Sequence, residues 1–109
     1  MQPHIESILK ELRAGLEAIY GNRLRAVILY GSHARGEAKP GWDSDVDVAV
    51  VLDDFADPSD EIERTGDLVA ELSLRHGLTI ALFPLTYERW QQGDSPLLSN
   101  IRREGIAAR

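Results

Sequence analysis

The chain has 109 residues, with 12 Lys and Arg against 18 Asp and Glu, a formal charge of −6 and no cysteine. That length fits one domain, residues 1–109, burying roughly 60–68% of its unfolded surface around a core of Leu, Ile and Val. Without cysteine there are no disulfides, thiolate catalysis or cysteine-ligated zinc, and an acidic balance without a basic run argues against direct nucleic-acid binding and suits a basic partner.

Met1-Gln2-Pro3 leads straight into a helical pattern, and no apolar run reaches the ~18–20 residues of a membrane span, so a cytoplasmic protein without membrane contact is expected. Ile5, Ile8, Leu9, Leu12, Leu16 and Ile19 recur at three- and four-residue steps. They predict a first helix that lays an apolar stripe on a sheet, with Pro3 in its first turn and Gly21-Asn22 as its stop. Arg25 to Tyr30 is a continuous apolar run that reads as a buried strand. Gly31 follows, and Ser32 is placed to cap a short helix starting near His33, so that free backbone N–H groups point outward as a phosphate cradle. Arg35 adds a charge clamp and Gly36 a tight turn. His33 is either a nucleotide contact or an exposed loop residue. Lys39 reads as loop with a possible phosphate contact, and Trp42 either stacks on a base or packs against core or partner.

A second strand covers Asp45 to Leu52. Val46, Val48 and Val50 share one face of it, and Asp45 and Asp47 share the other. Two ionised carboxylates one residue apart repel each other, and a divalent cation removes the conflict. Mg²⁺ suits the pattern, because it takes a few carboxylate oxygens and leaves the other positions to water and phosphates. Calcium does not, for want of a twelve-residue ligand loop. Asp43 has matching parity but reads as a loop residue after Gly41-Trp42.

Beyond Leu52, Asp57-Pro58 opens a helix that carries Ile62, Leu68, Val69 and Leu72 inward and ends at His76-Gly77. Its charges, Glu61 among them, read as a solvated face, and His76 as a cation favoured at a helix end. Leu78 to Phe83 reads as a central strand ended by Pro84. Thr86 caps a short turn of helix, Tyr87 to Gln92, and Ser95-Pro96 starts a last helix closed by Gly105 with Leu97, Leu98 and Ile101 inward. Tyr87, Trp90, Leu97 and Leu98 form either a contact surface or plain packing. The expected fold class is α/β (α+β), a small mixed β-sheet flanked by helices.

The pattern Gly31-Ser32-x-Ala34-Arg35-Gly36, followed by Ser44-Asp45-x-Asp47, resembles the signature of the minimal nucleotidyltransferases of the DNA polymerase β superfamily. The tail from Ser95-Pro96-Leu97-Leu98 through Arg102-Arg103-Glu104-Gly105 is similar to that of small stand-alone members. The resemblance implies a polymerase β-like fold, with Gly31, Ser32, Arg35, Gly36 and Ser44 binding nucleotide and Asp45 and Asp47 acting as catalytic residues that hold Mg²⁺. It implies transfer of a nucleotidyl group, AMP from ATP, to a hydroxyl. It also implies a partner, since small members are antitoxins that pair with HEPN-type RNase toxins, some adenylylating a tyrosine of the toxin in a hetero-oligomer. The family's third carboxylate falls at Ala81. A weak or inactive pseudoenzyme that inhibits its partner by occlusion is therefore the alternative, and modification of a small molecule would need an acceptor pocket for which no second domain is evident.

Overall fold

The computed structural model describes residues 2–37 and 45–108. Helix α1 (Pro3–Tyr20) opens the chain with Pro3 in its first turn, and Gly21, at φ 56°, ends it. A 3-10 turn at Gly21–Arg23 leads into strand β1 (Leu24–Tyr30), which is followed by the four-residue helix α2 (Ser32–Arg35) and strand β2 (Val46–Leu52). Helices α3 (Pro58–Arg64) and α4 (Gly66–His76), strand β3 (Ile80–Thr86), helices α5 (Tyr87–Gln92) and α6 (Pro96–Glu104), and the short strand β4 (Ile106–Ala107) complete it.

Among the described residues four strands form one sheet, in the order β3-β2-β1-β4. β1 is antiparallel to β2 and β4, and β2 is parallel to β3. The sheet is mixed and carries helices on both faces. Alternation along β2 sorts the core into two layers. Val46, Val48, Val50 and Leu52 pack under α1 and α4, against Ile5, Ile8, Leu12, Leu16 and Leu72. Ala49 and Val51 turn to the other side with Ile28 and Leu85, under Leu98 and Ile101 of α6. Among the described residues no helix is long and apolar enough to cross a membrane.

Capping chemistry follows the sequence closely. Asp57 accepts from the Ser59 N–H at 2.9 Å, Thr86 from Arg89 N–H at 3.2 Å and Ser95 from Leu98 N–H at 3.2 Å, each filling an orphan donor of a first turn. Gly77 closes α4 at φ 68°, the left-handed cap conformation. His76, in α4's last turn, bonds Glu11 of α1, and Arg75 joins the same carboxylate at 2.7 Å. The bond from His76, with help from Arg75, holds the Glu11 carboxyl below its ordinary value.

Several expectations are corrected. The single helix after Pro58 is two helices that meet at Thr65, where Gly66 follows and the buried Thr65 hydroxyl bonds the Glu61 carbonyl at 2.9 Å. The break turns Glu61 inward, 4% exposed, and Ile62 outward, 46% exposed. At the end of α1, Tyr20 is buried and Ile19 is 38% exposed. The buried Tyr20 hydroxyl donates to Glu61 Oε1 at 2.8 Å, which satisfies both polar ends in the interior. β3 lies at the sheet's edge, not its centre, and Pro84 sits inside it opposite Val50. An edge strand has one unpaired side and tolerates a residue without an N–H. Leu97 is 45% exposed while Leu98 is buried, and Tyr87 and Trp90 pack on the α6 side of the sheet.

Burial, reinforced by the bond to Glu61, pushes the Tyr20 hydroxyl from its ordinary 10.0 up to about 12. The fold therefore favours neutral tyrosine; this stabilisation is complete below pH ~10 and vanishes as pH rises through about 12. Tyr20→Phe, which strips Glu61 of its buried donor, should lower stability by about 1–3 kcal/mol in denaturant titration at neutral pH. That deficit should shrink as the pH is raised above 10.

Candidate active site

β1 delivers the chain to the site at Tyr30, and the next residue decides the geometry. Gly31 has φ 77° and ψ −156°, a conformation open essentially to glycine alone. A Cβ there would stand 2.5 Å from Asp47 Oδ2. The backbone thus lies directly against a carboxylate, which a side chain of any kind would prevent. Gly31 is also the N-cap of α2, and Ser32 is its first helical residue without a side-chain cap bond. This corrects the expectation that Ser32 caps a helix begun at His33. Arg35 N–H donates to Gly31 O at 3.1 Å and Glu37 N–H to Ser32 O at 2.9 Å, while Gly36 turns the chain at φ 72°. A helix start at Ser32 sets backbone N–H groups toward the end of β1, the arrangement a phosphate cradle requires.

The carboxylates come from β2. Asp47 pairs with Tyr30 on one side and with Ala81 on the other, so all three occupy one row of one sheet face. Asp45 immediately precedes the strand and is exposed. Burial and then the charge of Asp45 raise the Asp47 carboxyl above its ordinary 3.8, against the opposing pull of His33 and Arg35. The Tyr30 hydroxyl is likewise raised, first by burial and then by the Asp47 charge. Two mutually repelling carboxylates, one of them half-buried, form a donor set that a hard divalent cation would neutralise. On this ground Asp45 and Asp47 fit Mg²⁺. Among the described residues no three of His, Cys, Asp and Glu gather to hold a metal ion; Ala81 stands in register beside Asp47.

Arg35 is drawn to carboxylates in this structure. Its Nε binds Glu37 at 2.9 Å and its Nη1 binds Glu104, on α6, at 3.0 Å. In the sequence Glu104 showed only as part of the Arg102-Arg103-Glu104-Gly105 tail, with no role of its own. Gly36 meets nothing within 4 Å where a Cβ would be, so its part is the turn. Ser44, Lys39, Trp42 and Asp43 lie outside the described residues.

The sequence profile of the nucleotidyltransferase domain family matches residues 9–106. A protein of Methanocaldococcus jannaschii, provisionally described as a protein adenylyltransferase, is 34% identical over 76 residues, covering 69% of this chain and 67% of that protein. A crystal structure of a toxin–antitoxin with AMP-PNP superposes with a TM-score of 0.64 at 19% identity, over 99% of this chain and 73% of that one. A Shewanella oneidensis complex of a tri-AMPylated HEPN toxin with its MNT antitoxin gives 0.57 at 19% identity, over 97% and 69%. A structure described as a minimal nucleotidyltransferase gives 0.58 at 22% identity, over 94% and 90%. At these identities the structural likeness establishes the fold.

Because Asp47 is raised, its ionised form opposes folding near neutral pH when no cation is present; the group favours the fold only at acid pH. Asp47→Asn should therefore raise the melting temperature of the metal-free protein at pH 7, and if Asp45 and Asp47 hold Mg²⁺, adding Mg²⁺ should raise the melting temperature of the unsubstituted protein and not that of Asp47→Asn. Melting curves with chelator and with millimolar Mg²⁺ check both. Gly31→Ala should destabilise by about 1–3 kcal/mol through backbone strain and the clash with Asp47.

Proposed function

The chain belongs to the nucleotidyltransferase domain family, and from that premise we propose that it binds Mg-ATP and transfers AMP to a hydroxyl of a partner protein, a HEPN-type toxin that it thereby neutralises. The observation that carries the reading is the contact between Gly31 and Asp47, which sets a bare backbone turn and a carboxylate side by side at adjacent strand ends. Support comes also from the relative described as a protein adenylyltransferase and from the two toxin–antitoxin structures, one with AMP-PNP and one with an AMPylated toxin.

In this reading Gly31 and Ser32 offer backbone N–H groups to the triphosphate, and Arg35 and Ser44 add polar contacts at the loop's two ends. Asp45 and Asp47 hold Mg²⁺, which when bound neutralises charge on the phosphates and helps pyrophosphate leave. The acceptor hydroxyl oxygen, a tyrosine's in the toxin, bonds to the α-phosphorus as the bond from that phosphorus to the β-phosphate oxygen breaks, in line. Pyrophosphate takes the electron pair, and the hydroxyl proton goes to solvent or to a neighbouring base. Ala81 brings a methyl group to the position beside Asp47, where a carboxylate could take that proton.

A second reading is carried by Ala81 itself. A site with two carboxylates retains nucleotide binding and loses most of its rate, leaving a module that inhibits its partner by occlusion. The intact mass of the partner co-expressed with this chain separates the two. Transfer predicts added adenylyl mass with the wild type and none with Asp45→Asn, and an unmodified partner held in a stable complex by both forms marks inhibition by binding. Ala81→Asp should raise the transfer rate by about 10²–10⁴, the usual worth of a placed proton acceptor, in a time course with radiolabelled ATP.

A further inference from the structure

α2 is four residues long and has no side-chain cap, and helices of that length do not hold their shape unaided. The glycines that bound it, Gly31 and Gly36, both have positive φ, so its position is set by what surrounds it. Of the two carboxylates on Arg35, Glu37 lies two residues further along the same loop and moves with it. Glu104 is 69 residues away on another element. Its side chain is 22% exposed against 61% for Glu37, so its pair with Arg35 is the less screened.

Glu104 is itself held. Gly105 N–H donates to Ile101 O at 2.8 Å, and a Cβ on Gly105 would lie 2.5 Å from Ile28 Cγ2. β4 then pairs with Ile28 and Leu29 of β1, and β1 runs from those residues into Gly31. The elements close a ring, from β1 through Gly31 and α2 to Arg35, across the ion pair to Glu104, and back through β4.

We infer that Glu104 is a positioning residue for the phosphate-binding loop, holding Arg35, and with it α2, against the strand ends that carry Asp45 and Asp47. Its consequence for nucleotide binding rests on the function proposed above; its consequence for the loop rests on the geometry alone. The sign of the effect separates positioning from plain electrostatics. Glu104 is a negative charge beside a loop that would receive a triphosphate, so as a mere competitor for Arg35 it would weaken Mg-ATP binding, and neutralising it would strengthen that binding. A positioning residue does the reverse.

The experiment measures amide hydrogen exchange in the nucleotide-free protein and Mg-ATP affinity by calorimetry. It compares the wild type, Glu104→Gln, and a charge-swapped double variant, Arg35→Glu with Glu104→Arg. Glu104→Gln should speed exchange at the Arg35, Gly36 and Glu37 amides, leave β1 and β2 unchanged, and weaken Mg-ATP about two- to fivefold, the scale of a partly exposed ion pair. The double variant should recover part of the slow exchange, short of all of it because residue 35 then repels Glu37, without recovering Mg-ATP affinity, since its cation now stands on α6. Unchanged exchange in Glu104→Gln, or tighter Mg-ATP binding, overturns the inference. A wild type that does not bind Mg-ATP, with exchange still faster in Glu104→Gln, sinks the nucleotide reading and leaves the positioning role standing.

Discussion

The approach of Gly31 to Asp47 is the constraint on which the rest of the site depends. A strand must end, turn sharply and start a helix within van der Waals reach of a carboxylate on the neighbouring strand, and 2.5 Å between a would-be Cβ and Oδ2 leaves room for hydrogen alone. The antiparallel register that sets Tyr30 opposite Asp47 produces that approach. The register is held by seven residues of β1 and seven of β2, mostly apolar and covered by helices on each side. A one-residue slip would turn Asp47 into the layer under α1.

The sheet separates two duties. Its α1–α4 side is the larger apolar layer, clamped at the edge by Glu11 with Arg75 and His76 and sealed at the α1 end by Tyr20 on Glu61. Its α5–α6 side buries less and leaves the first row, Tyr30, Asp47 and Ala81, partly open. Stability is thus concentrated behind the site, and the strand ends in front can carry groups that oppose folding. Asp47 is such a group, a carboxyl raised by burial and by Asp45, as is common where a site awaits a charge to complete it.

The carboxyl-terminal elements belong to the same arrangement. α6 ends at Glu104, which reaches Arg35, and β4 returns the chain to β1 beside the residues that precede Gly31. Arg13 of α1 donates to Ala108 O at 3.0 Å, so the last described residues are tied to both helical layers' common support. The loop that contains the glycine turn is held from two directions that are distant in sequence.

The fold class, the first helix, the caps at Asp57, Thr86 and Ser95, and the glycine turn at Gly31 were legible because each rests on local chemistry: periodicity, an orphan N–H with a side-chain acceptor, a glycine at a strand end. Local signals failed where packing between distant elements decided the outcome. The inward turn of Glu61 answers to Tyr20, forty-one residues away. The edge position of β3 follows from strand order, which an apolar run cannot state, and two residues of β4 are too few to show a pattern. The sequence alone marked Gly31, Ser32, Asp45 and Asp47 as the candidate site residues, since Gly-Ser and Asp-x-Asp are properties of neighbouring residues. The tertiary structure alone decided that Ala81 stands beside Asp47 and that Glu104 holds Arg35, because strand register and contact between elements are set by the burial of the whole sheet.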